Sequence, residues 1–245
     1  MKIALIGYGK MGHAVEKIAL QRGHEIACVI DAEQEEKFDS SEFLGADVAI
    51  EFTTPSTAVG NFRRVIEAGI PLVSGTTAWL DRLDEVKGWL EKSREGMFWT
   101  SNFSIGVALF KKIVSEATRL MDGYPEFRPE MTEIHHIHKL DHPSGTAVST
   151  AEAIIAASGG KIDSWTEDPS VAASDPSALL INHRREGEVP GNHIVTWNSP
   201  VDAITVEHRA FSREGFAFGA VKAAEWMAST RPRGLRSMPD LLGMA

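Results

Sequence analysis

Lys2-Ile3-Ala4-Leu5-Ile6-Gly7-Tyr8-Gly9-Lys10-Met11-Gly12 decides the reading of this 245-residue chain. Lys2 to Ile6 is an apolar run of strand length. It enters Gly7-x-Gly9-x-x-Gly12, and a helical stretch follows to about Arg22 with Val15, Ile18 and Ala19 on one side. Gly23 stops that helix, Glu25 to Ile30 reads as a second strand, and Asp31 stands at its end, 19 residues after Gly12. Three glycines alone are weak evidence. Set between a strand and a helix, with an acid closing the next strand, they form the pattern of a dinucleotide-binding βαβ unit. Gly7 permits the tight turn, Gly9 lets backbone approach a pyrophosphate, and Gly12 allows close helix–strand packing. Tyr8, Lys10 and Met11 complete the loop, whose N–H groups open the positive end of a helix. The competing reading is a glycine-rich turn in another α/β fold.

Asp31 is placed to accept both hydroxyls of an adenosine ribose. A 2′-phosphate there would be repelled, and Ala32 supplies no arginine to offset it, so NADH is favoured over NADPH. Lys37 is the nearby cation that could reverse the preference, and a solvated strand end is the plainer reading of Asp31.

Working outward, Val48 to Phe52 reads as a third buried strand running into Thr53-Thr54-Pro55-Ser56, followed by a helix to Ala68. Leu72-Val73-Ser74 then enters Gly75-Thr76-Thr77, a helix spans roughly Leu80 to Lys92, and Phe98 to Thr100 leads into Ser101-Asn102-Phe103-Ser104. Alternating strands and helices imply a parallel sheet covered on both faces. Ligands bind at the carboxyl edge of such sheets. Gly75, Thr76, Thr77, Ser101, Asn102 and Phe103 are therefore candidates to frame a nicotinamide, with Asn102 or the backbone meeting its amide. Each group could equally be a plain strand-to-helix connection.

The rhythm changes after about Gly106. A helix from Val107 to Met121 precedes a β-like segment containing His135 to Lys139, and a helix of small residues opens at Pro143-Ser144-Gly145-Thr146. Lys161 to Ser177 reads as an irregular polar loop. Antiparallel-looking strands follow at Ala178 to Arg185, His193 to Asn198 and Ala203 to Arg209, and then a last helix at about Gly215 to Ser229. The fold class is α/β: a Rossmann-like dinucleotide-binding domain over residues 1–105 and 212–245, plus an α+β domain over 106–211.

A formal charge of −9 argues against a nucleic-acid surface, which needs clustered cations, but leaves a small anionic ligand open. Cys28 is the sole cysteine, so no internal disulfide can form and a reducing cytoplasm is the expected home. No apolar run approaches the ~20 residues of a membrane helix.

Glu133-Ile134-His135-His136-Ile137-His138-Lys139-Leu140-Asp141-His142-Pro143-Ser144-Gly145-Thr146 is the most unusual segment, with four of the nine histidines inside eight residues. His135, His136, His138, His142 and Asp141 are all possible metal ligands. Lys139 in their midst counts against a metal, because a fixed ammonium repels a dication, and none is expected. A polar loop is the bland alternative. An anion site fits better: Ser144, Gly145 and Thr146 at a helix start offer N–H and hydroxyl groups, Lys139 adds charge, and histidines titrate near neutral pH. In a straight strand His135 and Lys139 would stand roughly 13 Å apart, so either the chain bends between them or each serves a different end of the ligand.

The segment from Glu133 through Ala147 resembles the signature of the 4-hydroxy-tetrahydrodipicolinate reductase family, with His-His-x-His-Lys and Pro-Ser-Gly-Thr-Ala intact. Also similar are Gly7 to Gly12, Phe52-Thr53 with Pro55, Gly75-Thr76-Thr77, Asn102-Phe103-Ser104 with Gly106-Val107, and Arg185-x-Gly187. So are Gly191-x-His193, Ser212-Arg213 through Gly219-Ala220, and the tail around Gly234-Leu235, Met238-Pro239-Asp240 and Leu242. The resemblance covers essentially the whole chain. It departs at the Gly7 to Gly12 loop, one residue tighter than in some members, at Ala78, where glycine is common, and at Ile137, often basic.

The resemblance implies hydride transfer from NADH or NADPH to a cyclic unsaturated dicarboxylate with loss of water, yielding tetrahydrodipicolinate on the route to diaminopimelate and lysine. It puts His135 at the proton donor/acceptor position and Lys139 at that of a second donor. His136, Ser144, Gly145 and Thr146 fall at substrate-carboxylate positions. It further implies a homotetramer joined through the second domain. Two rivals remain at this point: another two-domain dehydrogenase of amino or sugar acids, against which the His-His-x-His-Lys run speaks, and a non-catalytic dinucleotide sensor, which would not need Lys139.

Overall fold

In the computed structural model, which describes residues 1–212 and 214–244, the chain divides into two compact units. One comprises Met1–Ile105 and the chain from Glu214 onward, the other the intervening chain from Gly106. Arg213 and Ala245, which fall inside the motif and domain expectations above, lie outside the described residues.

The first unit runs β1 (Lys2–Ile6), α1 (Lys10–Gln21), β2 (Glu25–Ile30), α2 (Ser41–Leu44), β3 (Val48–Glu51), α3 (Pro55–Glu67), β4 (Leu72–Ser74), α4 (Leu83–Lys92) and β5 (Gly96–Trp99). These strands form a parallel sheet in the order β5-β4-β3-β1-β2. Such strands are buried on both faces, which is why β3 and β4 read as continuous buried runs. Ala4, Ile6, Ala49, Leu72 and Met97 pack with Ala58, Val59, Phe62 and Val65 of α3 and Val86 and Leu90 of α4. Their strand neighbours Ile3, Leu5, Ile50, Val73 and Phe98 point to the other face. Thr54 and Thr57 form a capping box at the start of α3, with Pro55 as its first helical residue.

The second unit holds α5 (Ile105–Met121, entering from the first), β6 (Arg128–His135), α6 (Gly145–Ala157), β7 (Ser164–Thr166), α7 (Pro169–Ser174), β8 (Ala178–Arg185), β9 (Asn192–Asn198) and β10 (Ala203–Arg209). Its sheet runs β10-β9-β6-β8-β7. Residues along β6, β8 and β9 alternate between the two faces. Met131, Leu179, Ile181, Val195 and Trp197 on one face form a core with Phe110 and Val114 of α5 and Ala147, Ala151 and Ile154 of α6.

The second unit differs from the sequence expectation in three places. β8 is parallel to both β6 and β7, not antiparallel. The supposed loop from Lys161 to Ser177 contains β7 and α7. The β-like reading of His135 to Lys139 fails after His135, where the strand ends and a turn begins, with Lys139 N–H donating to the His136 carbonyl at 3.1 Å.

After Glu214 the chain adds α8 (Glu214–Thr230), β11 (Gly234–Arg236) and α9 (Met238–Leu241) to the first unit. α8 packs on α1, β3 and β4, and Trp226 meets the Phe98 ring edge-on at 6.2 Å. Glu225 joins α8 to α1, accepting from Arg22 at 2.6 and 3.0 Å and pairing with His24 at 2.8 Å. Burial would raise the Glu225 carboxyl, but bonds from Arg22, Lys222 and His24 bring it down to about 2. β11 extends the parallel sheet beyond β5.

Candidate functional site

In the first unit the βα turn is shaped by its glycines. Gly7 has φ +87°, and a Cβ there would stand 2.1 Å from the Phe52 carbonyl oxygen, while one on Gly12 would stand 2.4 Å from the Gly7 oxygen. Neither position has room for a side chain. Gly9 is the opposite case: nothing lies within 4 Å of where its Cβ would be. It is the N-cap of α1 with no side-chain cap bond, so among the described residues the N–H groups of Lys10, Met11 and Gly12 are left without a partner at the helix start. An open crest over free N–H groups fits a pyrophosphate.

Asp31 follows β2, and its Oδ1 accepts the Tyr8 N–H at 3.4 Å, which sets the carboxylate beside the glycine loop. Lys37 is occupied: its Nζ donates to the Val29 carbonyl at 3.0 Å and to Gln34 Oε1 at 2.7 Å.

Behind the loops after β3 and β4 lies a buried carboxylate that the sequence did not single out. Glu51 accepts from Ser74 at 2.6 Å, from Thr76 at 3.0 Å, and from both the hydroxyl and the N–H of Thr53. Burial pushes its carboxyl up from the usual range, and the bonds from Ser74, Thr53 and Thr76 oppose that. Thr76 consequently turns inward, and its carbonyl also takes the indole N–H groups of Trp79 at 2.9 Å and Trp99 at 2.8 Å. Gly75 lies against the Phe52 ring, 2.0 Å from a notional Cβ. Phe103 is buried between Phe52 and Phe98, with centroids at 5.5 and 5.8 Å. Asn102 Oδ1 accepts the Ser104 N–H at 2.9 Å. Thr77 and Ser101 are exposed. The side chains of Thr76 and Phe103 thus belong to the scaffold, while those of Thr77 and Ser101 stay exposed. Ala78, where the resembling family commonly has glycine, has φ +58°, a conformation glycine takes without strain.

In the second unit the register makes a polar row across one sheet face: His208 of β10 pairs with His193 of β9, His193 with Glu133 of β6, and Glu133 with His183 of β8. His135 lies two residues beyond Glu133 on the same face. Glu133 is fully buried, and His135 and His193 nearly so. Glu133 Oε2 accepts the Ser144 N–H at 3.0 Å and lies 3.5 Å from His135 Nδ1, and Arg185 reaches Oε1 at 3.4 Å. The His135 and His193 rings meet edge-on with centroids 5.3 Å apart. A Cβ on Gly191 would stand 2.9 Å from His135 Nε2, so glycine there leaves the ring its space.

Electrostatics follow from this packing. Burial would raise Glu133, but bonds from Ser144 and the neighbouring histidines hold it below the usual carboxylate range. His135 is lowered, first by burial and then by Lys139, Arg185 and His136, against the opposing pull of Glu133. Burial, with His135 nearby, takes His193 to about 4.

The turn after β6 brings Lys139 back toward the row. Arg185 pins it, donating to the Lys139 carbonyl at 3.1 Å and the Asp141 carbonyl at 2.8 Å. Lys139 Nζ rests on the exposed Asp141 carboxylate at 2.6 Å. His136 is half-buried in the same turn. Ser144 is buried and faces inward, its N–H on Glu133 and its hydroxyl accepting from Ala147 at 3.1 Å and meeting His193 Nε2 at 3.2 Å. Gly145 and Thr146, the first residues of α6, keep their N–H groups without a partner among the described residues, and a Cβ on Gly145 would meet nothing within 4 Å. Glu133, Arg185 and His193 were not assigned roles from the sequence. The signal for Glu133 was present, since an acid two residues from His135 along a strand shares its buried face.

The comparisons with known proteins bear on the whole chain. The family profile described as dihydrodipicolinate reductase, N-terminus, matches residues 1–103, and the one described as dihydrodipicolinate reductase, C-terminus, matches residues 106–242. The 4-hydroxy-tetrahydrodipicolinate reductase of Christiangramia forsetii is 38% identical over 99% of this chain and 98% of its own. That of Archaeoglobus fulgidus is 34% identical over 99% of this chain and all of its own. A dipicolinate-bound dihydrodipicolinate reductase from Paenisporosarcina sp. TG-14 shares the fold at a TM-score of 0.77 and 21% identity, over 98% of both chains. Two adjoining profiles and full-length relatives agree, and the chain belongs to the dihydrodipicolinate reductase family.

Proposed function

We propose that this chain reduces 4-hydroxy-tetrahydrodipicolinate to tetrahydrodipicolinate with His135 and Lys139 as its acid groups and the start of α6 as its carboxylate receptor. Family membership carries the activity, an NAD(P)H-dependent reduction in the diaminopimelate and lysine pathway. The observation that carries the residue roles is the convergence on one edge of the second unit's sheet. A buried Glu133 orders His135 and Ser144, Arg185 holds the Lys139 turn, and two N–H groups without a partner among the described residues open α6.

The reduced nicotinamide supplies a hydride. Gly9 and the N–H groups of Lys10, Met11 and Gly12 bind its pyrophosphate, Asp31 takes the ribose hydroxyls, and Thr77, Ser101 and Asn102 line the nicotinamide end. Gly145 and Thr146 donate to one substrate carboxylate, which also draws Lys139 away from Asp141. His136 serves the same anionic end. Loss of the 4-hydroxyl as water leaves a conjugated imine, and hydride arriving there leaves negative charge that a positioned acid must quench by giving up a proton. Burial disfavours the charged form of His135, and the negative charge of a bound dicarboxylate would favour it. Ser144 acts from behind, fixing Glu133 and His193 rather than touching the ligand. The dipicolinate in the Paenisporosarcina protein supports a small dicarboxylate as the ligand class.

Turnover of His135→Ala and Lys139→Ala, each with NADH binding measured alongside, tests the assignment. Each variant should lose about two orders of magnitude or more in turnover and keep its NADH affinity, since neither residue belongs to the unit that holds the glycine loop. Near-normal turnover in both would reject the roles.

A reducing cytoplasm remains the compartment that suits the single cysteine, and no helix among the described residues is long and apolar enough to cross a membrane. The homotetramer reading is supported by the uncovered side of the second sheet, where Thr132, Ile134, Ile194 and Thr196 are all half-buried.

A further inference from the structure

His183, the last member of the polar row, belongs to a second cluster. His142 Nδ1 stands 2.8 Å and His183 Nδ1 3.0 Å from the same oxygen, Glu167 Oε1, and the two imidazoles stack at 4.0 Å with 14° between their planes. The residues come from three separate places: the loop before α6, the residue after β7, and the body of β8. The donor atoms all lie within 4.8 Å of one another. None of the three has a role in the proton transfers proposed above.

We infer that His142, Glu167 and His183 form a binding site for a zinc-like divalent cation. Two imidazoles and one carboxylate are the ligand set that borderline cations take, with a fourth position left to water. Bonds of about 2.0–2.1 Å in a tetrahedron place ligand atoms roughly 3.3 Å apart, so the observed 2.8 and 3.0 Å separations need to open only slightly. The rings must also splay from their stack to point both Nδ1 atoms at one centre. Their side chains are 47% and 36% exposed, so the movement displaces no core. Each Nδ1 must present its lone pair to the cation, which takes over from the contacts now made to Glu167 Oε1.

The neighbouring trio of Glu133, His135 and His193 also has its donor atoms close together, but it is ill suited to a metal. Glu133 is taken by Ser144 and Arg185, and the trio is buried. A cation on His142 would tie the loop leading to Ser144 and Gly145 onto β7 and β8, bracing the carboxylate receptor from outside the chemistry.

Chelator-stripped protein titrated with cobalt(II) should give one saturable visible absorption band per chain, removed by zinc(II), and zinc should raise the melting temperature. Glu167→Gln keeps the shape of the site and removes a charged ligand, and His183→Ala removes an imidazole. Each should weaken cobalt affinity by about tenfold or more, while His135→Ala should not. Far-UV circular dichroism checks that the variants fold, and Glu167→Gln decides the matter if His183→Ala does not. Absence of saturable binding below millimolar cobalt or zinc overturns the inference. So does affinity unchanged in Glu167→Gln, or lost in His135→Ala instead.

Discussion

At the end of β2 the Asp31 carboxylate sits beside the Tyr8 amide, and the ammonium that could have countered it, Lys37, is bonded to Val29 and Gln34. A ribose with two free hydroxyls can donate to Asp31, whereas a 2′-phosphate would meet a like charge with no free cation on Lys37. NADH should therefore show the higher kcat/KM, and Asp31→Ala should narrow the gap by roughly tenfold, or ~1.4 kcal/mol. A tenfold or greater preference of the unaltered protein for NADPH would reject this reading of Asp31. At this scale residue types were more legible than their directions. The sequence marks out His135, Lys139 and Asp31 because a histidine-rich run and an acid after a strand are rare patterns. It cannot show that Thr76 turns back onto Glu51, that Phe103 joins the aromatic core, or that Ser144 spends its N–H on Glu133. Those directions are set by partners far along the chain: Glu51 lies 25 positions from Thr76, Phe52 lies 51 from Phe103, and Glu133 lies 11 from Ser144.

The start of α6 is the proposed carboxylate receptor. Ser144 caps the helix by accepting the Ala147 N–H, which leaves the first two N–H groups, those of Gly145 and Thr146, as the donors for a carboxylate. Thr146→Val keeps the volume and removes the hydroxyl. It should weaken dipicolinate as a competitor by about tenfold, the value of one charge-assisted hydrogen bond, and leave NADH affinity unchanged. Pyridine-2-carboxylate, with one carboxylate fewer, should bind more weakly than dipicolinate to the unaltered protein. Equal inhibition by the two acids would remove this helix end from the binding site, and no effect of Thr146→Val would remove the Thr146 hydroxyl from it. Elements that bury a periodic face were readable: α1, α3 and α5, and the alternating strands β6 and β9. β7, α7 and β11 are three, six and three residues long and bury little, so they leave no periodic signature. Period-two alternation also carries no information about strand direction. β8 is parallel to β6 because α6 lies between them in the chain as a crossover, which is what a parallel pair requires.

Each unit closes its own core, Phe62, Trp79 and Met97 in the first and Met131, Ile154 and Trp197 in the second, so the change of rhythm after Gly106 reflects a real change of layer plan. The second core fills one side of its sheet only. On the other side Thr132 and Ile134 of β6 and Ile194 and Thr196 of β9 alternate outward, with the Thr196 and Thr205 hydroxyls 3.1 Å apart across the β9–β10 pair. Two isoleucines and three threonines in the middle of this face, with Glu130, Arg184, Glu207 and Arg209 around them, suit self-complementary pairing about a twofold axis. If this face joins the homotetramer that the family resemblance implies, light scattering should give about 107 kDa, four copies of the 26.8 kDa chain. Ile194→Lys puts a charge in the middle of that face without touching either core, since its strand neighbours His193 and Val195 are the residues that point inward. It should shift the mass to dimer or monomer while circular dichroism stays unchanged. A monomer from the unaltered protein, or a tetramer that survives Ile194→Lys at micromolar concentration, would show that this face does not join the subunits.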